Sequence, residues 1–233
     1  MSGVFPGAVG VSRLRVYRDT APDGLAGGSP HLHTVCSEGY LVTGGRGRVQ
    51  TLTLREGFRE TALVAGTLLW FDPGTIHRLV NDDGELELIV IMQNSGLPEA
   101  GDAVLTFPDE HLASRAAYAS ASRIDGSDAA ERLAAAMRRR DRALRGFDAL
   151  RDATAEGDLE PLRRFHARAA ALVADQAGVW RDRWRAGAWS ATSATSRQLE
   201  AISAADTAHF ADAVVHEAEP VERLGMCGWL RAY

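Results

Sequence analysis

Between Gly28 and Asn81 the chain places three histidines and a carboxylate in segments whose alternation is that of β-strands, and this combination narrows what the chain can fold into. Side chains alternate faces along a strand, so in His31-Leu32-His33 the two imidazoles stand on one wall. The run Glu38-Gly39-Tyr40-Leu41-Val42 puts Glu38, Tyr40 and Val42 on a common face, which a short turn after His33 folds back toward the histidines. His77 arrives from a separate strand, after the turn at Pro73-Gly74. Three imidazole nitrogens and one carboxylate oxygen suit one divalent transition metal ion (Fe, Mn, Ni, Cu, Co or Zn) and suit Mg or Ca poorly. His31, His33, Glu38 and His77 are therefore the candidate metal ligands. Tyr40, on the face of Glu38, is a candidate substrate contact, and Glu38 itself a candidate base.

The surrounding pattern is that of a β domain. Val11 to Tyr17 alternates apolar and polar residues, Val49 to Leu54 and Thr61 to Val64 read as further strands, and Glu85 to Met92 is a strongly apolar one after the Asp82-Asp83-Gly84 hairpin signal. Short strands with no helical period between them predict a sandwich or barrel. From Asp109 the composition shifts to Ala, Arg, Leu and Glu. Leu133, Met137, Leu144 and Phe147 recur at helical spacing behind the capping pair Ser127-Asp128. A second helix is expected from Asp158, with Pro161 in its first turn and Leu162, Phe165, Ala169, Leu172, Val173 and Trp180 on one face. Leu199, Ile202, Phe210 and Val214 predict a third.

These residues resemble the cupins, whose first motif has the form G(x)5HxH(x)3-4E(x)6G and whose second has the form G(x)5PxG(x)2H(x)3N. Here His31, His33, Glu38 and Gly45 match the first, and Gly66, Pro73, Gly74, His77 and Asn81 the second. Gly27 or Gly28 sits nearer the first histidine than the pattern asks, one extra residue precedes Pro73, and that proline and its glycine are adjacent. No ligand is lost to these departures. The resemblance covers roughly residues 11 to 98 and implies a small jelly-roll barrel with the metal inside. The expected fold is mainly β: a cupin-type jelly-roll metal-binding domain over 1–108, followed by a helical C-terminal region over 109–233.

Composition removes several alternatives. All 26 basic residues are arginine, so Schiff-base and lysine-bound pyridoxal chemistry are excluded apart from the N-terminal amine. A net charge of -5 argues against a nucleic-acid partner, and the one basic cluster, Arg138-Arg139-Arg140, reads as a solvated helix face. Cys36 and Cys227 read as free thiols of a reducing compartment. The first seven residues lack a signal-peptide pattern and no run is apolar enough for a membrane, so a cytoplasmic protein is expected. His166 and His209 lie outside any ligand spacing, and Trp180, Trp184 and Trp189 read as helix core or subunit interface; a homodimer is expected.

Cupins include dioxygenases, decarboxylases, isomerases, epimerases, storage proteins and sensing domains, so the resemblance leaves the activity open. The leading expectation is a dioxygenase-type oxidoreductase acting on a small oxygenated metabolite. The alternatives are a metal-dependent isomerase of a sugar or hydroxy-carbonyl compound, and a non-catalytic metabolite-binding module.

Overall fold

The structure, a computed structural model, describes residues 5–233; the first four residues, part of the N-terminal segment read above, lie outside it. Eleven strands among the described residues form two antiparallel sheets. The strands are β1 (Gly10–Val16), β2 (His31–His33), β3 (Glu38–Gly44), β4 (Arg46–Thr53), β5 (Gly57–Val64), β6 (Leu68–Phe71), β7 (Ile76–Asn81), β8 (Glu87–Met92), β9 (Ala103–Leu105), β10 (Val221–Leu224) and β11 (Gly228–Ala232). One sheet has the order β10-β11-β1-β8-β3-β6, the other β5-β4-β7-β2-β9. Their inner faces enclose a barrel core that includes Leu14, Val16, Val42, Val49, Leu79 and Leu88. This is a cupin-like jelly roll with a helical region C-terminal to most of its strands.

The two sheets bury their residues differently, for a physical reason. In β1 the interior Leu14 and Val16 alternate with exposed Arg13 and Arg15, the pattern of a sheet with one wet face. In β7 all six residues are buried. The second face of that sheet is covered by helices, so Ile76 joins a second core with Leu144, Phe147, Leu162 and Phe165 while Leu79 faces the barrel. Arg78, on the helix side, is buried and paired with Asp23.

The helices are α1 (Asp109–Leu112), α2 (Arg115–Ser122), α3 (Ala129–Ala155), α4 (Glu160–Val173), α5 (Ala177–Trp184) and α6 (Ser190–Ser203). Asp128 caps α3 by accepting from the Glu131 N–H at 2.9 Å, and Glu131 accepts from the Ser127 N–H at 2.7 Å. Pro161 sits in the first turn of α4, where its missing N–H costs nothing. The second expected helix is broken after Val173 by a 3-10 turn, and α5 carries Trp180, whose indole donates to Ala100 O at 3.1 Å. The third ends at Ser203; Leu199, Ile202, Phe210 and Val214 are exposed and Val214 is not helical.

Two expectations are corrected. The chain does not stay outside the barrel after residue 108, because β11 pairs with β1 from Ser12↔Ala232 to Val16↔Gly228 and β10 pairs with β11. The helical layer is thus an insertion between β9 and the last two strands. These strands are too short for periodicity to reveal, and the close pairing requires glycine at 228, where a Cβ would lie 2.0 Å from Arg15 O. Nor is Arg138-Arg139-Arg140 a solvated face: Arg138 is exposed, but Arg139 and Arg140 are buried. Alanines 135, 136 and 143 beside them let α3 approach the barrel, and the long arginine stems fill the space. Arg140 donates to the carbonyls of Asp19 and Thr20.

Gly146 shows how closely α3 lies on the barrel, since a Cβ there would sit 2.0 Å from Thr106 O. Alanine usually stabilises a helix interior by about 1 kcal/mol over glycine. Here Gly146→Ala is expected to reverse that sign and cost about 1–3 kcal/mol through forced displacement of the helix. Urea denaturation would check it; a stabilised variant would show that α3 has room to move.

Candidate metal centre

The antiparallel register sets His31 directly opposite His77, with ring centroids 4.3 Å apart. His33, two residues along β2, turns to the same interior, and Glu38 enters from the first residue of β3 in the facing sheet. The pairing of β2 with β7 and the return of β3 thus bring together all four ligands expected from spacing. One donor atom from each lies within 4.8 Å of those of the others, and all four residues are buried. These four can hold a metal ion. Gly74 (φ +87°) makes the turn that aims His77 possible; its N–H donates to His33 O at 2.8 Å, so the Pro73-Gly74 turn is tied to the ligand strand. Asn81 closes the motif structurally, donating to Val16 O and accepting from the Leu86 N–H.

Each imidazole is held from behind. His31 Nδ1 lies 2.8 Å from Ser29 O, His77 Nδ1 3.1 Å from Thr75 O, and His33 Nδ1 3.1 Å from Asp102 Oδ2. Carbonyls and carboxylates only accept, so each Nδ1 carries the proton and each Nε2 turns a lone pair to the centre. There His77 Nε2 stands 3.0 Å from Glu38 Oε2, and His33 Nε2 3.4 Å from the same oxygen. His77 Nε2 and Glu38 Oε2 are buried without hydrogen-bond partners. Lone pairs this close repel unless a cation, either a proton or a metal ion, lies between them, and the donor set suits a divalent transition ion. The residues therefore fit the ion that the motif implies.

Titration follows the same geometry. Burial works against a charged His33, but the Asp102 and Glu38 carboxylates on either side outweigh it and raise its pKa to about 9 in the ion-free protein. His31 is held well below the usual imidazole range by burial and by the neighbouring imidazoles. Burial favours a neutral Glu38, yet His77 and His33 keep it well below the carboxylate range. Tyr40 is fully buried beside Phe71 and kept protonated by burial and by the charge of Glu38.

A cavity of about 280 Å³ adjoins the ligands, lined by His31, His33, Glu38 and Tyr40. Its other walls include Val90 and Met92 of β8, Arg139 of α3, and Met226 and Cys227 of the β10–β11 turn. Asp102, Arg139 and Cys227 are the neighbours that spacing did not indicate. Asp102 lies where the strand pattern breaks, Arg139 within the apparently solvated arginines, and Cys227 about 190 residues after the first motif. Cys36 is buried away from the ligand cluster, its N–H on Asp102. His166 bonds Gly74 O at 3.1 Å, and His209 lies in a 3-10 turn at 208–212; neither joins the ligands.

No protein-family model and no curated protein matches the chain. Solved structures do. The 11S allergen of Cocos nucifera is 24% identical over 36% of this chain and 22% of its own, with a TM-score of 0.32. The capsular polysaccharide assembling protein CapF of Staphylococcus aureus is 17% identical over 44% and 27%, with a TM-score of 0.34. An oxalate oxidase is 21% identical over 36% and 41%, with a TM-score of 0.30. The chain thus matches less than half the length of any of the three. Similarity at this level assigns no activity, and the two-sheet architecture rests on the strand order itself.

Proposed function

We propose that the chain is a metal-dependent cupin enzyme acting on a small oxygenated metabolite, with dioxygenase-type oxidation as the leading reaction. The observation that carries this reading is the convergence of three Nε2 lone pairs and the Glu38 carboxylate beside a cavity of metabolite size. A divalent transition ion held by His31, His33, Glu38 and His77 would supply Lewis acidity and, as iron, manganese or copper, one-electron redox chemistry. The chain itself fixes the ligands through Ser29, Thr75 and Asp102, and lines the adjoining cavity with Leu14, Val90 and Met92. Tyr40 contributes a protonated hydroxyl beside the ligands and so orients an oxygenated substrate.

Isomerisation would need a base poised near neutral pH to move a carbon-bound proton. The cavity offers little of that kind: Tyr40 is held protonated, burial and the charge of Glu38 push the Cys227 thiol to about 12, and Glu99 is paired with Arg223 at 2.8 Å. Oxygen chemistry makes no such demand. Protein purified without added ions is expected to carry about one transition ion per chain, and the iron-loaded form to consume oxygen with a metabolite panel while the zinc-loaded form does not. Equal anaerobic turnover with zinc would transfer the assignment to isomerisation. Stabilisation by a metabolite without turnover in either form would favour the binding module.

A further inference from the structure

Arg139 is a buried cation without an anion. It is 8% exposed, and its one hydrogen bond among the described residues runs from a terminal nitrogen to Gly225 O at 2.9 Å. Among the described residues no carboxylate lies within 4.0 Å of it, and its Nε has no partner. Its titratable neighbours are Tyr17, Tyr118, Cys227 and none that is acidic, and burial presses its pKa downward. Tyr17 and Tyr118 are raised by burial and Cys227 stands at about 12, so all three are neutral at physiological pH. An isolated buried charge is among the costliest features a fold can retain, and a single carbonyl uses one of the five donors.

Arg139 lines the cavity that His31, His33, Glu38 and Tyr40 line, and its terminal nitrogen bonds Gly225, another residue of that wall. Its planar fork matches a carboxylate, with which it forms paired charge-assisted hydrogen bonds. The remaining wall combines apolar Leu14, Val90, Met92 and Leu230 with Ser12 and with Glu99, whose charge Arg223 already neutralises at 2.8 Å. At about 30 Å³ per water, the volume corresponds to roughly nine waters, which accommodates a short chain of about that many non-hydrogen atoms. We infer that the substrate is a small carboxylic acid whose carboxylate is held by Arg139 while its oxygenated part faces the metal ligands. This rests on the enzyme reading above for the word substrate, and on Arg139 alone for the anion. The Arg139 bond to Gly225 also fixes the β10–β11 turn, so the C-terminal strands close the cavity around the same residue that reads the ligand.

The test uses the full chain, metal-free and metal-loaded, with succinate, its neutral isostere succinamide and inorganic phosphate as probes in calorimetry. Metal-free wild type is expected to bind succinate at least tenfold tighter than succinamide or phosphate, with affinity falling as salt rises. Arg139→Gln keeps a hydrogen-bond donor for Gly225 O and is expected to lose that preference while retaining metal content; Arg139→Lys should keep part of it. Equal binding of succinate and succinamide, preference for phosphate, or an undiminished preference in Arg139→Gln would each overturn the inference. The wild-type contrast decides even if the glutamine variant misfolds. Absence of metal with a retained acid preference would sink the enzyme reading and leave the anion site standing.

Discussion

Asp102→Ala is expected to destabilise the protein by about 3–5 kcal/mol and to leave a folded remnant with little affinity for metal. The magnitude follows from how much one carboxylate does. Oδ1 accepts from the N–H of Thr34 at 3.0 Å, the N–H of Val35 at 2.8 Å and the Thr34 hydroxyl at 2.6 Å, while Oδ2 takes the Cys36 N–H at 3.2 Å and His33 Nδ1 at 3.1 Å. The loop between His33 and Glu38 is thus wound around Asp102, and alanine would orphan its donors. Asp102→Asn separates the loop from the metal. Its oxygen can still serve Thr34 and Val35, but its amide group then meets His33 Nδ1 and favours the tautomer whose Nε2 carries the proton. Metal affinity is expected to fall about 10–100-fold with a smaller loss of stability. Chemical denaturation and a competitive chelator titration would measure the two effects; a variant with native affinity would show that Asp102 serves the loop alone.

Asp102 also supplies an acid limit. Burial raises its pKa, but His33 and Thr34 outweigh burial and bring it to about 2, below the ordinary 3.8. A depressed carboxylate stabilises the fold fully above its unfolded pKa, and that contribution, about 2 kcal/mol, is lost as pH falls from about 4 through 2.

What sequence made legible was whatever a fixed spacing creates. His31 and His33 share a face because strands have period two, and His77 lies opposite His31 because the Pro73-Gly74 turn reverses the chain at the required point. Glu38, Tyr40 and Val42 point inward together for the same reason. What remained hidden depends on tertiary approach. Arg139 looks solvated in sequence because its neighbours are arginines, and only the docking of α3 on the barrel buries it. Cys227 and Gly228 join the barrel through a strand pair that no local pattern announces, with 17 non-strand residues between α6 and β10. Asp102 lies in a segment that reads as a break in the pattern because its function is to bind backbone of another loop. Spacing thus revealed donors within one strand or one turn, whereas the groups that hold those donors, or that close the cavity over them, come from distant chain.

The second large effect concerns the ion itself. His77→Ala is expected to lose most bound metal while remaining folded, since it removes one of three converging Nε2 atoms from a barrel whose strands pair independently of it. In the ion-free wild type a proton takes the cation's place. The raised pKa of His33, about 9, reflects its position between two carboxylates, so metal must displace that proton at neutral pH. Free imidazoles would put the loss of affinity at about pH 6.5. The structure moves the transition upward: apparent affinity should rise about tenfold per pH unit up to 9 and flatten above it. The folding contribution of the same proton has the opposite sign. His33 in the ion-free protein gains charge on folding, so its stabilisation is complete below about 6.5 and disappears as pH climbs through 9. Bound metal removes that dependence by replacing the proton, and a ligand at about 100 times its Kd adds about 2.7 kcal/mol. Thermal melts from pH 6.5 to 9.5, with chelator and with metal, would therefore diverge as pH rises; parallel curves would mean that no cation occupies the space between His77 and Glu38.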